Sequence, residues 1–254
     1  MEIRILNTQA GVAAHMARRF EGWCREESFR YLALSGGSTP KILFDHWAAD
    51  ASATVPWDRL EFFWGDERCV GPGDPESNYG MTRQHLFDHI SADPSNIHRI
   101  RGEEDPQQEA RRYEALIRDR LPKAWGMPRF DLVLLGMGDD GHTASVFPHQ
   151  MSLWDSPRGC EVATHPVSGQ QRITLTGGWI NGARRIVFLV TGGAKAEKVK
   201  EILEGKGAEA LYPAARVRPE SGELIWLLDQ EAASGLSPEF IAAHVATGPV
   251  LPGK

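Results

Sequence analysis

The chain alternates between short runs of consecutive apolar residues and longer segments in which apolar positions recur every three or four residues. The apolar runs predict β-strands at Ile3–Leu6, Tyr31–Leu34, Leu60–Trp64, Phe130–Leu135, Arg185–Val190 and Leu224–Leu228. Several lack the polar alternation of a half-exposed strand, as expected where both faces are covered. The segments between them predict helices near Ala10–Glu27, Lys41–Ala48, Tyr79–His89, Gln107–Leu121 and Ala194–Glu204. A last helix is punctuated by Ser237 as N-cap, Pro238 at the first helical position and Glu239 in the first turn, with a stop at Gly248-Pro249.

Strand–helix alternation implies an α/β fold. Parallel strands need crossover connections, so the expected architecture is a mostly parallel, doubly wound, Rossmann-like sheet with helices on both faces. No internal repeat or low-complexity stretch interrupts the pattern, and the Pro/Gly-rich Gly71–Pro75 is too short to separate domains. The expectation is one domain over residues 1–254, with room for a small appended subdomain. In such sheets ligands bind beyond the carboxyl ends of the strands, which directs attention to the loops that follow them.

Composition narrows the classes. With 41% hydrophobic and 24% charged residues the chain can fill a core, which argues against disorder. No apolar run approaches the roughly 18–20 residues that span a bilayer, and Met1–Leu6 lacks the segments of a signal peptide. Cys24, Cys69 and Cys160 are too widely spaced for a zinc site and odd in number, so a reducing, cytoplasmic setting is expected. A net charge of -6 without a Lys/Arg block argues against nucleic acid as a partner. It leaves a small anion open, because charges beyond a Debye length of about 8 Å are largely screened.

Three post-strand loops carry the candidate chemistry. In Ser35-Gly36-Gly37-Ser38-Thr39-Pro40 the paired glycines allow a tight turn, and Ser38 or Thr39 can cap the helix that Pro40 starts. Backbone N–H groups at such a helix end suit a phosphate, although a plain strand-to-helix turn has the same composition. The Gly-Lys-Ser/Thr ending of a Walker A loop is missing, so ATP is not implied. In Gly65-Asp66-Glu67-Arg68 three adjacent charges follow an aromatic strand, and Arg68 can grip a phosphate or carboxylate, or serve a structural ion pair. Ser77 or Asn78 caps the helix that follows.

The third loop, Gly136-Met137-Gly138-Asp139-Asp140-Gly141-His142-Thr143-Ala144, contains a literal G-x-G-x-x-G. Asp139 and Asp140 would point like charge at a pyrophosphate, and Pro148 stops any helix after about two turns, so the dinucleotide reading fails. Glu161, which could pass for its ribose-binding acid, then has no such role. What remains is a frame for His142, an imidazole expected at the start of a short helix and placed to accept a proton. Arg172, which opens the β-like run Ile173–Thr176, and Lys195, after the glycine turn Gly192-Gly193, add two cations. With Arg68 and the first glycine loop they could clamp a dianion.

Ser35–Pro40, Gly65–Arg68 with Ser77-Asn78-Tyr79, Gly136–Pro148 and Leu211–Trp226 with Tyr212-Pro213-Ala214 together resemble the 6-phosphogluconolactonase family, which shares its fold with glucosamine-6-phosphate deaminases. The likeness runs over roughly residues 3–235, and its most specific block is Gly136–Pro148. It implies hydrolysis of 6-phospho-D-glucono-1,5-lactone in the pentose phosphate pathway, with no metal or organic cofactor. It also implies His142 as general base, Arg68 as a substrate-contacting cation, and Gly36, Gly37, Ser38, Arg172 and Lys195 at the phosphate. Asp66 and Asp140 are alternative partners for the imidazole, and backbone N–H groups or Arg68 are alternative oxyanion donors. In the deaminases the His-containing block continues with Asn-Glu-Pro and the Asp-Glu pair with Tyr, whereas this chain has Ser145-Val146-Phe147-Pro148 and Arg68. A sugar-phosphate sensor of this fold would carry a helix-turn-helix module, for which no room is expected ahead of Ile3.

Overall fold

The computed structural model describes residues 1–26, 28–49, 54–124 and 126–246. Six strands form one all-parallel sheet: β1 (Glu2–Leu6), β2 (Tyr31–Leu34), β3 (Glu61–Trp64), β7 (Leu132–Leu135), β10 (Arg185–Val190) and β11 (Glu223–Asp229), in the order β1-β11-β10-β7-β2-β3. They coincide with the six apolar runs. Every residue of β3, β7 and β10 is buried, so both faces of the sheet are covered there. The covering helices are α1 (Gln9–Trp23), α2 (Ser38–Ala49), α3 (Asn78–His85), α4 (Pro106–Arg120), α5 (Gly177–Asn181), α6 (Ala196–Glu204) and α7 (Pro238–His244). None of the described helices is long and apolar enough to cross a membrane.

Element ends differ from expectation where a polar group intervenes. Strand β7 starts two residues late because the Asp131 carboxylate accepts from the backbone N–H groups of Arg30 and Tyr31, at 2.9 and 3.0 Å, and so anchors the strand entry. Helix α3 ends at His85, where Leu86 leaves helical geometry (φ -134°), and Phe87–His89 continues as a 3-10 turn. Helix α1 closes at Cys24, and the expected end at Glu27 lies outside the described residues. Ser237 caps α7 through the Phe240 N–H as predicted, while the stop at Gly248-Pro249 also lies outside them.

A second sheet departs from the parallel pattern. Strands β4 (Asp66–Arg68), β8 (Cys160–Thr164) and β9 (Gln171–Leu175) pair antiparallel in the order β4-β9-β8. A two-stranded ribbon, β5 (Lys123–Ala124) with β6 (Met127–Pro128), completes the set. The charged triplet expected to be a loop is thus itself a strand. Gly65 is the junction: its N–H donates to the Leu34 carbonyl in the large sheet and its own carbonyl accepts from Leu175 in the small one, both at 2.8 Å.

The chain winds outward from β2 to β3 and later in the opposite direction from β7 through β10 to β11. The switch point therefore lies between β2 and β7, where the loops after neighbouring strands part and leave a crevice.

Candidate active site

A cleft of about 290 Å³ opens at this switch point. Its walls are the loops after β2, β7 and β10, and its side is the small sheet, represented by Asp66, Arg68 and Arg172. All the predicted site residues except Asp140 line it directly: Gly36, Gly37, Ser38, Asp66, Arg68, His142, Arg172 and Lys195.

The first wall is the start of α2. Ser38 and Thr39 lie inside its first turn rather than before it, which corrects the expected capping role. Gly37, with φ +108°, makes the turn into the helix, a conformation that favours glycine. The Ser38 hydroxyl accepts from Gln9 Nε2 at 3.0 Å, and Thr39 Oγ1 lies 2.7 Å from Thr191 Oγ1 in the loop after β10. That second contact ties the helix start to the segment bearing Lys195. Gly36 has a different reason to be glycine: a Cβ there would sit 1.8 Å from Asn78 Oδ1. Asn78 in turn donates through Nδ2 to the Asp66 carbonyl at 2.9 Å.

The second wall frames His142. Its Nδ1 lies 2.6 Å from Asp140 Oδ1, and its backbone N–H donates to the same oxygen at 3.0 Å. Burial alone would raise the Asp140 carboxyl, but the hydrogen bonds and positive charge of His142 outweigh it and hold the pKa at about 2. Asp140 is therefore the partner of the imidazole. Asp66 is not: its Oδ2 accepts from the buried Ser145 hydroxyl at 2.6 Å. The ring packs on Gly138, where a Cβ would meet Nδ1 at 2.1 Å, and against Phe147 at 4.6 Å between centroids.

No helix begins at His142. Residues 143–146 form a tight turn closed by the Val146 N–H to the Thr143 carbonyl at 3.0 Å, and helical geometry starts only at Pro148 as a 3-10 turn. Three side-chain bonds impose this path: Thr143 Oγ1 to the Gly136 carbonyl, the Ser145 N–H to Thr174 Oγ1, and Ser145 Oγ to Asp66. They hold Ala144 at φ +47°, the one non-glycine positive φ among the described residues, a strained geometry of the kind found at functional sites.

The third element is the pair Arg68 and Arg172, directly opposite each other on β4 and β9. Like charges at opposed positions destabilise a sheet unless an anion joins them. Arg172 is buried, and its pKa is pulled down by burial first and by the Arg68 charge second. It lies over the Phe147 ring at 5.6 Å. Arg68 donates through Nη1 to the Glu76 carbonyl at 2.6 Å, not to a carboxylate, and its buried Nε has no partner. Lys195, at the N-cap position of α6, reaches across to Asp139.

Several contributors were not assigned by sequence. Glu67, buried on β4, accepts from the N–H groups of Arg68, Asn78 and Tyr79 and from the Ser77 hydroxyl, which pins the start of α3 and with it Asn78. Burial raises its pKa, with those backbone donors pulling it back. Tyr212 presses on Gly141, whose φ of +82° and closeness to the ring (2.6 Å from a Cβ to Cδ1) both require glycine. The glycine pattern held that signal, but only the fold names the ring. Glu161 bonds Ser156 and Arg158, away from the cleft. The Cys69 thiol is pushed up to about 11 by burial and by the Glu67 and Glu109 charges, which leaves it protonated and unsuited to nucleophilic attack at neutral pH.

The fold and cleft define a class: a doubly wound α/β protein with a cationic cleft and a carboxylate-held imidazole at its switch point. The sequence pattern of the glucosamine-6-phosphate isomerase/6-phosphogluconolactonase family matches residues 7–226, and the chain belongs to that family. It is 41% identical to the 6-phosphogluconolactonase of Treponema pallidum over 228 residues, covering 90% of this chain and 95% of the relative. With the 6-phosphogluconolactonase of Aggregatibacter actinomycetemcomitans it shares 47% identity over 204 residues, covering 80% and 86%. The crystal structure of the devB protein superposes with a TM-score of 0.89 at 42% identity, covering 93% of this chain and 99% of that one.

Proposed function

We propose that this chain hydrolyses 6-phospho-D-glucono-1,5-lactone to 6-phosphogluconate, the lactone-opening step of the oxidative pentose phosphate pathway, with His142 activating the water. The observation that carries the reading is the 2.6 Å contact between His142 Nδ1 and Asp140. A carboxylate that stays ionised down to about pH 2 fixes the proton on Nδ1 and leaves Nε2, on a ring that lines the cleft, as the acceptor. The relatives named 6-phosphogluconolactonase support the choice of substrate.

A δ-lactone is an activated ester, so the reaction needs a deprotonated water and a stabilised oxyanion. The water oxygen bonds to the carbonyl carbon as its proton passes to Nε2, and the carbonyl π electrons move to oxygen. Arg68, which lines the cleft, compensates that charge. Collapse of the tetrahedral intermediate breaks the bond to the ring oxygen, which leaves as an alkoxide and takes the proton back from His142. The phosphate rests on the Gly36-Gly37-Ser38 turn, Arg172 and Lys195, so binding energy remote from the carbonyl holds the lactone in place. None of these steps requires a metal or an organic cofactor.

The test compares two assays on the purified protein. Hydrolysis of 6-phosphogluconolactone well above its spontaneous rate, without ammonia release from glucosamine 6-phosphate, is the expected result. Ammonia release without lactone hydrolysis would move the chain to the deaminase branch.

A further inference from the structure

Asp139 and Asp140 are adjacent carboxylates with different attachments. Asp140 holds His142, whereas Asp139, largely exposed at the cleft rim, holds the Nζ of Lys195 from the loop on the opposite wall. The rest of that wall is fixed without Asp139. The buried Asp229 carboxylate accepts from the Gly192 N–H at 3.0 Å and from the Ala232 N–H at 2.8 Å, and Thr191 meets Thr39 at 2.7 Å. The Lys195 side chain reaches across from the β10 loop to the β7 loop, where the Asp139 carboxylate matches its charge.

From this arrangement we infer that Asp139 is a resident counter-anion for Lys195, which an incoming phosphoryl group must displace. The inference rests on the proposed role of Lys195 at the phosphate. It makes Asp139 a specificity-determining residue. A ligand gains Lys195 only if its own interaction exceeds that of the carboxylate, which a phosphate dianion can achieve through two charges and three acceptor oxygens. A neutral sugar lactone has nothing to exchange for Asp139 and meets a cleft with one cation neutralised. The exchange also joins recognition to the catalytic loop, because the displaced carboxylate is the immediate neighbour of the residue that holds His142.

The probe is inorganic phosphate, titrated calorimetrically against the wild-type chain, Asp139→Asn, Lys195→Met and the double variant. Asp139→Asn is expected to tighten phosphate binding about fivefold, the scale of one exposed ion pair released. Lys195→Met is expected to weaken binding, and on that background the gain from Asp139→Asn should shrink below about twofold. The KM for 6-phosphogluconolactone should fall in parallel with the phosphate Kd. An equal gain with and without Lys195 would reduce Asp139 to through-space repulsion and overturn the proposal, as would unchanged or weaker phosphate binding in Asp139→Asn. Asp139→Ser, with its thermal midpoint recorded, separates a lost competitor from a disturbed loop: tightening in both variants supports the exchange, and tightening in Asn alone contradicts it. Absence of lactone hydrolysis in the wild-type chain would sink the functional reading but not the exchange, which phosphate alone reports.

Discussion

The two sheets of this protein are built by opposite rules. In the six-stranded sheet β7 is apolar throughout and β10 is apolar after Arg185, and Phe188 of β10 stacks on Trp226 of β11 at 3.9 Å across a parallel pair. In the three-stranded sheet the short strand β4 carries nothing but charge, yet Asp66 and Glu67 are buried. Burying charge is costly unless each group is bonded, and here the carboxylates are: Asp66 by Ser145, Glu67 by three amides and a hydroxyl. The arginines are the exception: they stand opposite each other, Arg68 with a buried Nε that has no partner and Arg172 with its Nε donating to Gln170 Oε1 at 3.4 Å. The large sheet is built on apolar burial, and the small one sets two like charges side by side at the cleft. The division is thus between a sheet built on apolar burial and a sheet that brings Asp66, Arg68 and Arg172 to a cleft whose other walls, with His142 and Lys195, are loops of the large sheet; the two meet at Gly65.

The sharpest way to break that division is to remove the base. His142→Ala should lower lactone hydrolysis by about 10²- to 10⁴-fold, the range for a lost general base. The thermal midpoint should stay within a few degrees, because the ring is partly exposed in the cleft. Turnover at the wild-type rate would take His142 out of the mechanism. The converse substitution is Phe188→Ala, which should cost about 3–5 kcal/mol in denaturant unfolding through cavity formation in the large sheet. Enzyme that remains folded should keep the wild-type KM. A severalfold rise in KM in the folded Phe188→Ala enzyme would mean that the two sheets are energetically coupled.

The same division explains what could be read from the sequence. The six apolar runs were legible because the sheet buries most of their positions, and His142 and Lys195 could be placed at the cleft because they follow strands of the large sheet, whereas Arg68 and Arg172 reach it from within β4 and β9. The β4 strand was not, since a three-residue run of Asp-Glu-Arg has no hydrophobic signal and depends on pairing with β9, more than 100 residues away. The choice between Asp140 and Asp66 was equally out of reach. It is decided by whether residues 143–146 turn or coil, and that turn is imposed by Thr174 and Asp66, which lie far away in sequence.

The helix layer that packs on the large sheet has a buried polar group that tests the rule by pH. His15, on the buried face of α1, is 4% exposed, and neither ring nitrogen has a partner. Burial, then the charges of Arg4, Arg19 and Arg18, lower its pKa to about 4 despite Glu2. The folded state therefore keeps the ring neutral while the unfolded chain, near 6.5, takes up a proton. Stability from this group is complete above pH 6.5, falls as pH drops toward 4, and levels off below, for a loss of at most about 3 kcal/mol. Unfolding free energies of wild type and His15→Met between pH 7 and 4 should diverge by that slope. Parallel curves would show that the ring finds solvent or a partner in the folded state.

The smallest effect, and the one that bears most directly on how the sheets are joined, belongs to Ser145. Its hydroxyl links the loop after β7, in the large sheet, to Asp66 in the small one, and the side chain is fully buried. Ser145→Ala leaves the geometry free of clashes but strips Asp66 Oδ2 of its donor, which should cost about 1–2 kcal/mol. Because the same turn carries His142, kcat should fall by less than in His142→Ala while KM changes little. Ser145→Thr, which retains the hydroxyl, should recover stability before activity, since its added methyl crowds a turn that already holds Ala144 at positive φ. If Ser145→Ala unfolds at the wild-type midpoint, Asp66 satisfies itself from the cleft. The sheets would then be joined by the Gly65 backbone bonds and by the Ser145 N–H to Thr174, without a contribution from the Ser145 hydroxyl.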